Sequence, residues 1–350
     1  MVSATEVFKD IIAGRVFILD NQGNFYVNSG SHSISKYSPC GKLILKMGQK
    51  GEGPGDIKRL GWFSINPLNN TIYVTEFFTG NKWLSKFSMD GKYLGDWKCD
   101  LDWINYDALS VIKFDIKGNV FLEAIKSSPR RYKDFTIGAF ETVIIKFSPK
   151  GEKLKEVYTF TSDFYAEKGG RGNITIPFHS FLNWNIYNDK IIIRESHADF
   201  INVFSPDGKL EKRIPLPFKR LKIKEKDLDE WDSYLKSVQW IKKGIAEGWF
   251  DLKYWRKRLP FPKFKPVSVG QLFIDSQGNL YSKKHSGYQL KENTWAKINL
   301  SNYKISIVKF NPDETLLYIW KNYFFFHKLD GKDNDILTKI DEKMLFQGVR

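Results

Sequence analysis

Between Asp20 and Lys46 the chain reads DNQGNFYVNSGSHSISKYSPCGKLILK, in which short apolar runs alternate with polar turns. Gln22-Gly23-Asn24 separates one pair of apolar runs, and Pro39-Cys40-Gly41-Lys42 separates a second pair. The pattern predicts two strand pairs, and its outline returns downstream. A four-stranded unit recurring at roughly 40 residues is the sequence signature of a β-propeller.

Turns of the first kind recur at Asn69-Asn70, Lys117-Gly118-Asn119, Asn188-Asp189, Gln277-Gly278-Asn279 and Lys321-Asn322, each ahead of an apolar or aromatic strand. Gly and Asn suit these places because tight hairpin turns need positive φ. Turns of the second kind recur at Met89-Asp90-Gly91-Lys92, Pro149-Lys150-Gly151-Glu152, Pro206-Asp207-Gly208-Lys209 and, in weaker form, Leu300-Ser301-Asn302. Six inner hairpins with five outer ones leave the last unit, read as Leu316 to Trp320, Tyr323 to His327 and Ile336 to Ile340, one strand short. The N-terminal stretch Glu6 to Ile12 is expected to supply it, which ties the chain ends together and removes two open sheet edges. The fold expected is therefore all-β: one six-bladed propeller domain over 1–350, with blades at 14–49, 60–98, 107–160, 178–215, 267–310 and 315–341.

Two connections exceed a simple turn. Thr161 to Pro177, with Gly169, Gly170, Arg171 and Gly172, reads as a mobile loop. Residues 216–266 read as a helical cap between blades four and five. It opens on a capping box at Asp227 to Glu230, followed by Leu228, Trp231, Leu235, Val238 and Ile241 at helical spacing. After Gly244, the residues Ile245, Trp249, Leu252 and Trp255 repeat the stripe, and Pro260, Pro262 and Pro266 force an extended return. Two amphipathic helices are predicted, whose tryptophans pack as core.

Composition adds little about chemistry. The net charge of +15 suggests acidic partners, although lysines spread over strand faces also keep a β protein soluble. The insertion carries 14 Lys or Arg against 7 Asp or Glu, and Arg256, Lys257 and Arg258 mark a basic contact surface on it. No run of eighteen apolar residues predicts a membrane helix, and no nucleic-acid module is recognised. Met1 to Asp10 lacks the apolar stretch of an export signal. The expectation is a mature envelope or extracellular form, or a cytoplasmic protein if Met1 is the native start. Cys40 and Cys99 are expected as free thiols, outside any CxxC context.

At GQKGEGPGD (Gly48 to Asp56), YNDKIIIRESHADFINVFSPDGKLEKRI, LPFPKFKP and LFIDSQGNLYS, the chain resembles the NHL-repeat-like six-bladed propellers, and in particular bacterial members of unassigned function. The resemblance covers nearly the whole chain and implies the fold, not an activity. Amidating lyases of the NHL type bind Zn through histidines that start the innermost strands. Here only His179 stands at such a place, with Trp62, Asp107 and Ser268 at the comparable ones, so that zinc site is not matched. The calcium-dependent lactonase propellers would cast Glu76, Asp107, Asn183 and Glu195 as ligands, but no spacing rule selects these four.

In a four-stranded blade the second-to-third-strand connections and the inter-blade connections share one face. His32, His197 and His285 each follow a second strand, so they could converge there as Zn ligands, or stand as separate solvated loop residues. The GEGPGD stretch leads into a strand and lacks a GK[ST] ending, so it reads as an inter-blade turn rather than a phosphate cradle. The function expected is non-catalytic recognition of a protein, peptide or glycan, with no cofactor. Its pocket is assigned to Trp103, Arg130, Arg131, Arg171, His179, Glu195, His197 and His285: arginines pair carboxylates, Trp103 stacks, and Glu195 orients a histidine. The alternatives are a hydrolase or lyase with Ca or Zn at the channel mouth, and a structural subunit of a surface assembly.

Overall fold

In the computed structural model the carboxylate of Asp20 folds back over the first hairpin turn, accepting from the backbone N–H groups of Gln22 and Asn24, both at 2.9 Å. Asp115 does the same for Lys117 and Asn119, and Asp275 for Gln277 and Asn279. In all three turns the Asn side chain donates to the other carboxylate oxygen, at 2.9, 2.7 and 2.8 Å. The glycines between them, Gly23, Gly118 and Gly278, have φ of 84°, 77° and 77°. Serine does the equivalent work in the outer turns. Ser38, Ser88, Ser148 and Ser205 each accept through Oγ from the N–H four residues on.

The structure describes residues 5–9, 17–76, 83–101, 106–168, 173–285, 292–321, 323–329, 335–342 and 345. These turns organise them into six antiparallel sheets. Strand β1 (Thr5–Lys9) stands apart in sequence. The first sheet holds β2 (Phe17–Leu19), β3 (Phe25–Asn28), β4 (Ile34–Tyr37) and β5 (Leu43–Met47). The second holds β6 (Leu60–Asn66), β7 (Thr71–Glu76), β8 (Trp83–Phe87) and β9 (Tyr93–Lys98). The third is larger, with β10 (Ala108–Phe114), β11 (Val120–Ser127), β12 (Arg130–Arg131), β13 (Thr136–Phe147), β14 (Lys153–Glu167) and β15 (Asn173–Thr175). The fourth holds β16 (Leu182–Tyr187), β17 (Lys190–Glu195), β18 (Phe200–Phe204) and β19 (Leu210–Pro215). After helices α1 (Glu225–Ser237), α2 (Gln239–Ala246) and α3 (Leu252–Arg258), the fifth holds β20 (Ser268–Ile274), β21 (Asn279–Lys284), β22 (Asn293–Asn299) and β23 (Ile305–Phe310). The last has the order β1, β26 (Asp335–Asp341), β25 (Tyr323–Leu329), β24 (Thr315–Trp320), so the N-terminal strand pairs with the C-terminal one.

Successive side chains on a strand point to opposite faces, and here both faces are covered. Phe121 and Ile144 of the third sheet pack against Trp184 and Ile193 of the fourth, while Leu122 and Ile145 pack toward Tyr73 and Leu84 of the second. Equivalent clusters join the first sheet to the second, the fourth to the fifth, the fifth to the sixth, and the sixth back to the first through Phe325, Leu337, Phe17 and Val27. The sheets thus pack in a closed cycle, the arrangement of a β-propeller. Its six first strands, β2, β6, β10, β16, β20 and β24, enclose an axial cavity of about 150 Å³.

Three expectations change. Thr161 to Pro177 is not a loop throughout: β14 continues to Glu167, and β15 pairs back on it through Tyr165↔Thr175. The insertion makes three helices rather than two, because Val238 is extended (φ −74°, ψ 119°) and ends α1 before Ile241. Asp227 is the third residue of α1 rather than its N-cap, a place taken by Lys224. Its carboxylate accepts from Lys224 N at 2.9 Å and pairs with Lys265 on the return segment. Cys40 is exposed and Cys99 buried, both unbridged, and burial pushes the Cys99 thiol up to about 12.

Two outcomes follow. Removing residues 1–12 exposes the β26 edge and should lower the melting temperature; an unchanged thermal melt of the truncated protein would contradict the closure. Asp275→Ala leaves the N–H groups of Gln277 and Asn279, the Asn279 amide and the Tyr281 hydroxyl without their acceptor. A loss of roughly 3 kcal/mol is expected in urea unfolding.

Candidate functional site

The third sheet extends past the others because β13 and β14 are 12 and 15 residues long. Ile137 and Ala166 on that extension, with Ile174 and Ile176 after it, share one core cluster with Trp231, Leu235, Ile241, Phe250, Trp255 and Leu259 of the insertion. The insertion is also closed at its stem, where Lys265 N donates to Leu221 O at 2.9 Å and Ile223 N to Lys263 O at 3.2 Å. Between helices and sheet ends lies a pocket of about 490 Å³. Ile174 to His179, Phe181 and His285 form its floor and walls, and Trp231, Leu235, Val238 and Ile241 form its helical side. Tyr234 and Trp240, 53% and 38% exposed, stand at its rim. Trp240 stacks on Trp249 with centroids 6.3 Å apart.

The floor is held by a lattice of polar contacts centred on Ser196. Its Oγ accepts from Phe181 N at 3.1 Å, and its carbonyl accepts from Val267 N at 2.6 Å, joining the fourth sheet to the fifth. Beneath it the fully buried Arg194 donates to Val269 O at 3.3 Å, Ser282 Oγ at 3.1 Å and Gly270 O, with its guanidinium over the Phe181 ring. Phe178 is held at φ 56°, a left-handed conformation that costs a bulky residue on the order of 1 kcal/mol and is retained here by burial. Its ring meets His285 at 6.0 Å.

The structure brings His179, His197 and His285 together and leaves His32 apart, with its Nδ1 3.1 Å from Ile57 O. His179 Nδ1 donates to Ile176 O at 3.0 Å, which fixes that tautomer, and the ring meets Phe164 edge-on at 4.7 Å. His197 Nδ1 lies 2.7 Å from Ser180 Oγ and 3.3 Å from Ser196 Oγ. Burial holds the His179 and His197 imidazoles below their ordinary range; at His197 the charges of Arg220 and His179 add to the effect, and backbone hydrogen bonds at Phe264 and Phe178 oppose it. Burial pushes His285 down to about 4, with Lys265 and His197 adding and Asp227 opposing. All three are neutral at pH 7. Among the described residues, no group of three His, Cys, Asp or Glu is arranged to hold a metal ion.

His179 also forms the wall of a second, polar cleft of about 280 Å³ lined by Arg130, Thr161, Ser162, Asp163 and Ser180. Arg130 is ion-paired with Asp163 there, and Arg131 is exposed on the same short strand. Glu195 does not orient a histidine: it accepts the Tyr158 hydroxyl, while His197 turns to Ser180. On the insertion, Arg256 is surrounded by Glu225, Asp229 and Asp232, and Arg258 pairs with Asp134 and stacks on Tyr254. Of that basic trio, Lys257 is exposed and makes no ion pair among the described residues. Trp103 and Arg171 lie outside the described residues. Sequence reasoning missed Trp240, Tyr234, Phe178 and Arg194. The available signal for Trp240 was a tryptophan next to, rather than on, the stripe of Val238, Ile241 and Ile245.

No family model matches the chain, and no curated protein matches it. Among solved structures it is similar over 97% of its length to a member of the DUF4221 family from Bacteroides vulgatus ATCC 8482 (TM-score 0.56, 10% identity, 95% of that chain). It is similar over the same share to a protein assigned as exported from Bacteroides fragilis NCTC 9343 (TM-score 0.52, 11% identity, 95% of that chain). At these identities the likeness concerns the fold, an all-β propeller-like one. No helix among the described residues is long and apolar enough to cross a membrane.

The histidines give a pH dependence of definite sign. Because their folded values are lowered, the unfolded chain binds more protons, so the stability they contribute is present above about pH 6.5 and is lost as pH falls toward about 4 for His285. His285→Gln should lose less urea stability than the wild type between pH 6.5 and 4. Parallel losses would show that His285 is not desolvated.

Proposed function

We propose that this chain is a six-bladed recognition propeller of the NHL-repeat-like type, a single domain whose helical insertion caps the loop-bearing face and forms one side of a peptide-binding pocket. The observation that carries the reading is the aromatic and aliphatic pocket between helices and sheet ends, with exposed Trp240 and Tyr234 at its rim. Walls of Ile174, Ile176, Leu235, Val238 and Ile241 would leave sugar hydroxyls unpaired, so an apolar or aromatic side chain suits them better than a glycan. The adjoining polar cleft, with Arg130, Ser162 and Ser180, supplies partners for the flanking peptide groups. Neutral histidines between the two add hydrogen-bonding capacity without charge at pH 7. Basic residues elsewhere favour an acidic partner, and Lys257 is the cationic contact on α3. An envelope or extracellular setting is in keeping with the exported structural neighbour.

The test is selection of binders from a random peptide library, read by tryptophan fluorescence. Selected peptides should carry an aromatic or large aliphatic residue. Trp240→Ala should weaken them at least about tenfold, the effect of losing one buried aromatic anchor, and Lys257→Ala should change affinity far less. Binders indifferent to Trp240→Ala would overturn this site.

A further inference from the structure

We propose that the ligand of the pocket is an extended peptide that adds as a further strand to the free edge of β15 and lays one side chain into the pocket. The proposal rests on the peptide reading above and gives it a binding mode. β15 closes the third sheet on its outer side, paired with β14 and with no strand beyond it among the described residues. Ile174 and Thr175 of this strand, and Ile176 after it, belong to the pocket lining.

The ladder register fixes which backbone groups are free. Ile176 N donates to Phe164 O at 2.9 Å, so that opposed pair is of the hydrogen-bonded kind, and so is Ile174 with Ala166 two residues back. Thr175, opposite Tyr165, therefore falls on a non-hydrogen-bonded pair, and its N–H and C=O point away from β14. Neither group makes a hydrogen bond among the described residues. Asn173, opposite Glu167, has the same phase, so β15 offers two donors and two acceptors along about 7 Å of edge. Ile174 and Ile176 are each 1% exposed in the cluster shared with the helices, which holds the strand in place, while Thr175 between them is exposed. The outer strands of the other sheets carry charge that discourages pairing: Lys46 in β5, Asp96 in β9, Lys212 in β19, Lys309 in β23 and Glu6 in β1. β15, reading Asn-Ile-Thr, carries none. Such an edge recognises main chain, and the adjoining pocket adds the choice of side chain. Because side chains alternate along a strand, one apolar anchor in the pocket is compatible with polar residues on either side of it.

The test uses the full chain and the library-selected peptides. Methylating the peptide's backbone nitrogens one at a time should weaken binding about fivefold or more at every second position of the paired stretch, and leave the positions between near the parent affinity. Thr175→Pro removes the outward N–H without taking a hydrogen bond from β14, and should weaken the same peptides by a similar factor. Affinity that is indifferent to N-methylation, that falls equally at consecutive positions, or that survives Thr175→Pro unchanged would overturn the added strand. Should Thr175→Pro fail to fold, the methylation series on the wild-type protein decides the matter. A dimer of the free chain that is lost in Thr175→Pro would mean that a second copy takes the edge, and would overturn the proposal as well. Peptides held by Trp240 yet failing these tests leave the pocket standing and remove the strand, whereas binders indifferent to Trp240→Ala, or a library without binders, remove both.

Discussion

The hairpin turn is the interaction on which the rest of the molecule depends. A carboxylate in three inner turns, a hydroxyl in four outer ones and an Asn amide oxygen at Asn66 and Asn299 take up N–H groups that a tight reversal would otherwise leave unpaired. With the turns fixed, strand register follows, because a slip of one residue would carry every buried side chain to the opposite face. Both faces of these sheets are buried against neighbours, so register, packing and closure of the cycle are one condition. The pairing of β1 with β26 satisfies that condition at the point where the chain begins and ends.

The site grows from a departure from that regularity. In the third sheet β13 and β14 continue beyond the length of their counterparts, and their surplus offers an apolar surface through Ile137 and Ala166. Three short helices, none long enough to be stable alone, fold against it and not against one another only. The pocket is the space that this docking leaves. Its floor is stiffened from below by Arg194, whose carbonyl partners lie on the neighbouring sheet.

Much of the fold was legible because turn chemistry is local. Gly23, Gly118 and Gly278 announce their hairpins whatever the rest of the chain does, and the missing outer strand of the last sheet could be inferred from the turn count. The length of β14 was not legible: Thr161, Ser162 and Asp163 look like the start of a loop, and only pairing with Ala139, Phe140 and Glu141 makes them strand. The break at Val238 likewise interrupts an unbroken apolar stripe, since spacing carries no record of where a helix must bend around a partner. At the site, chain order put His32, His197 and His285 on one face and His179 at the start of an innermost strand; of these, the structure joins His179, His197 and His285 and leaves His32 against Ile57 O. The partners were not legible: Glu195 pairs with Tyr158, and Arg256 and Arg258 are neutralised by acids 24 or more residues away, which no spacing rule reaches.

The central claim is that the insertion is one wall of the binding pocket while the ring stands without it. The most direct measurement replaces residues 222–264 with a short Gly-Ser linker across the paired stem, then follows thermal unfolding and capture of library-selected peptides. Retained cooperative unfolding with peptide capture abolished is the predicted result. Undiminished capture, or collapse of the sheets without the helices, would contradict the account.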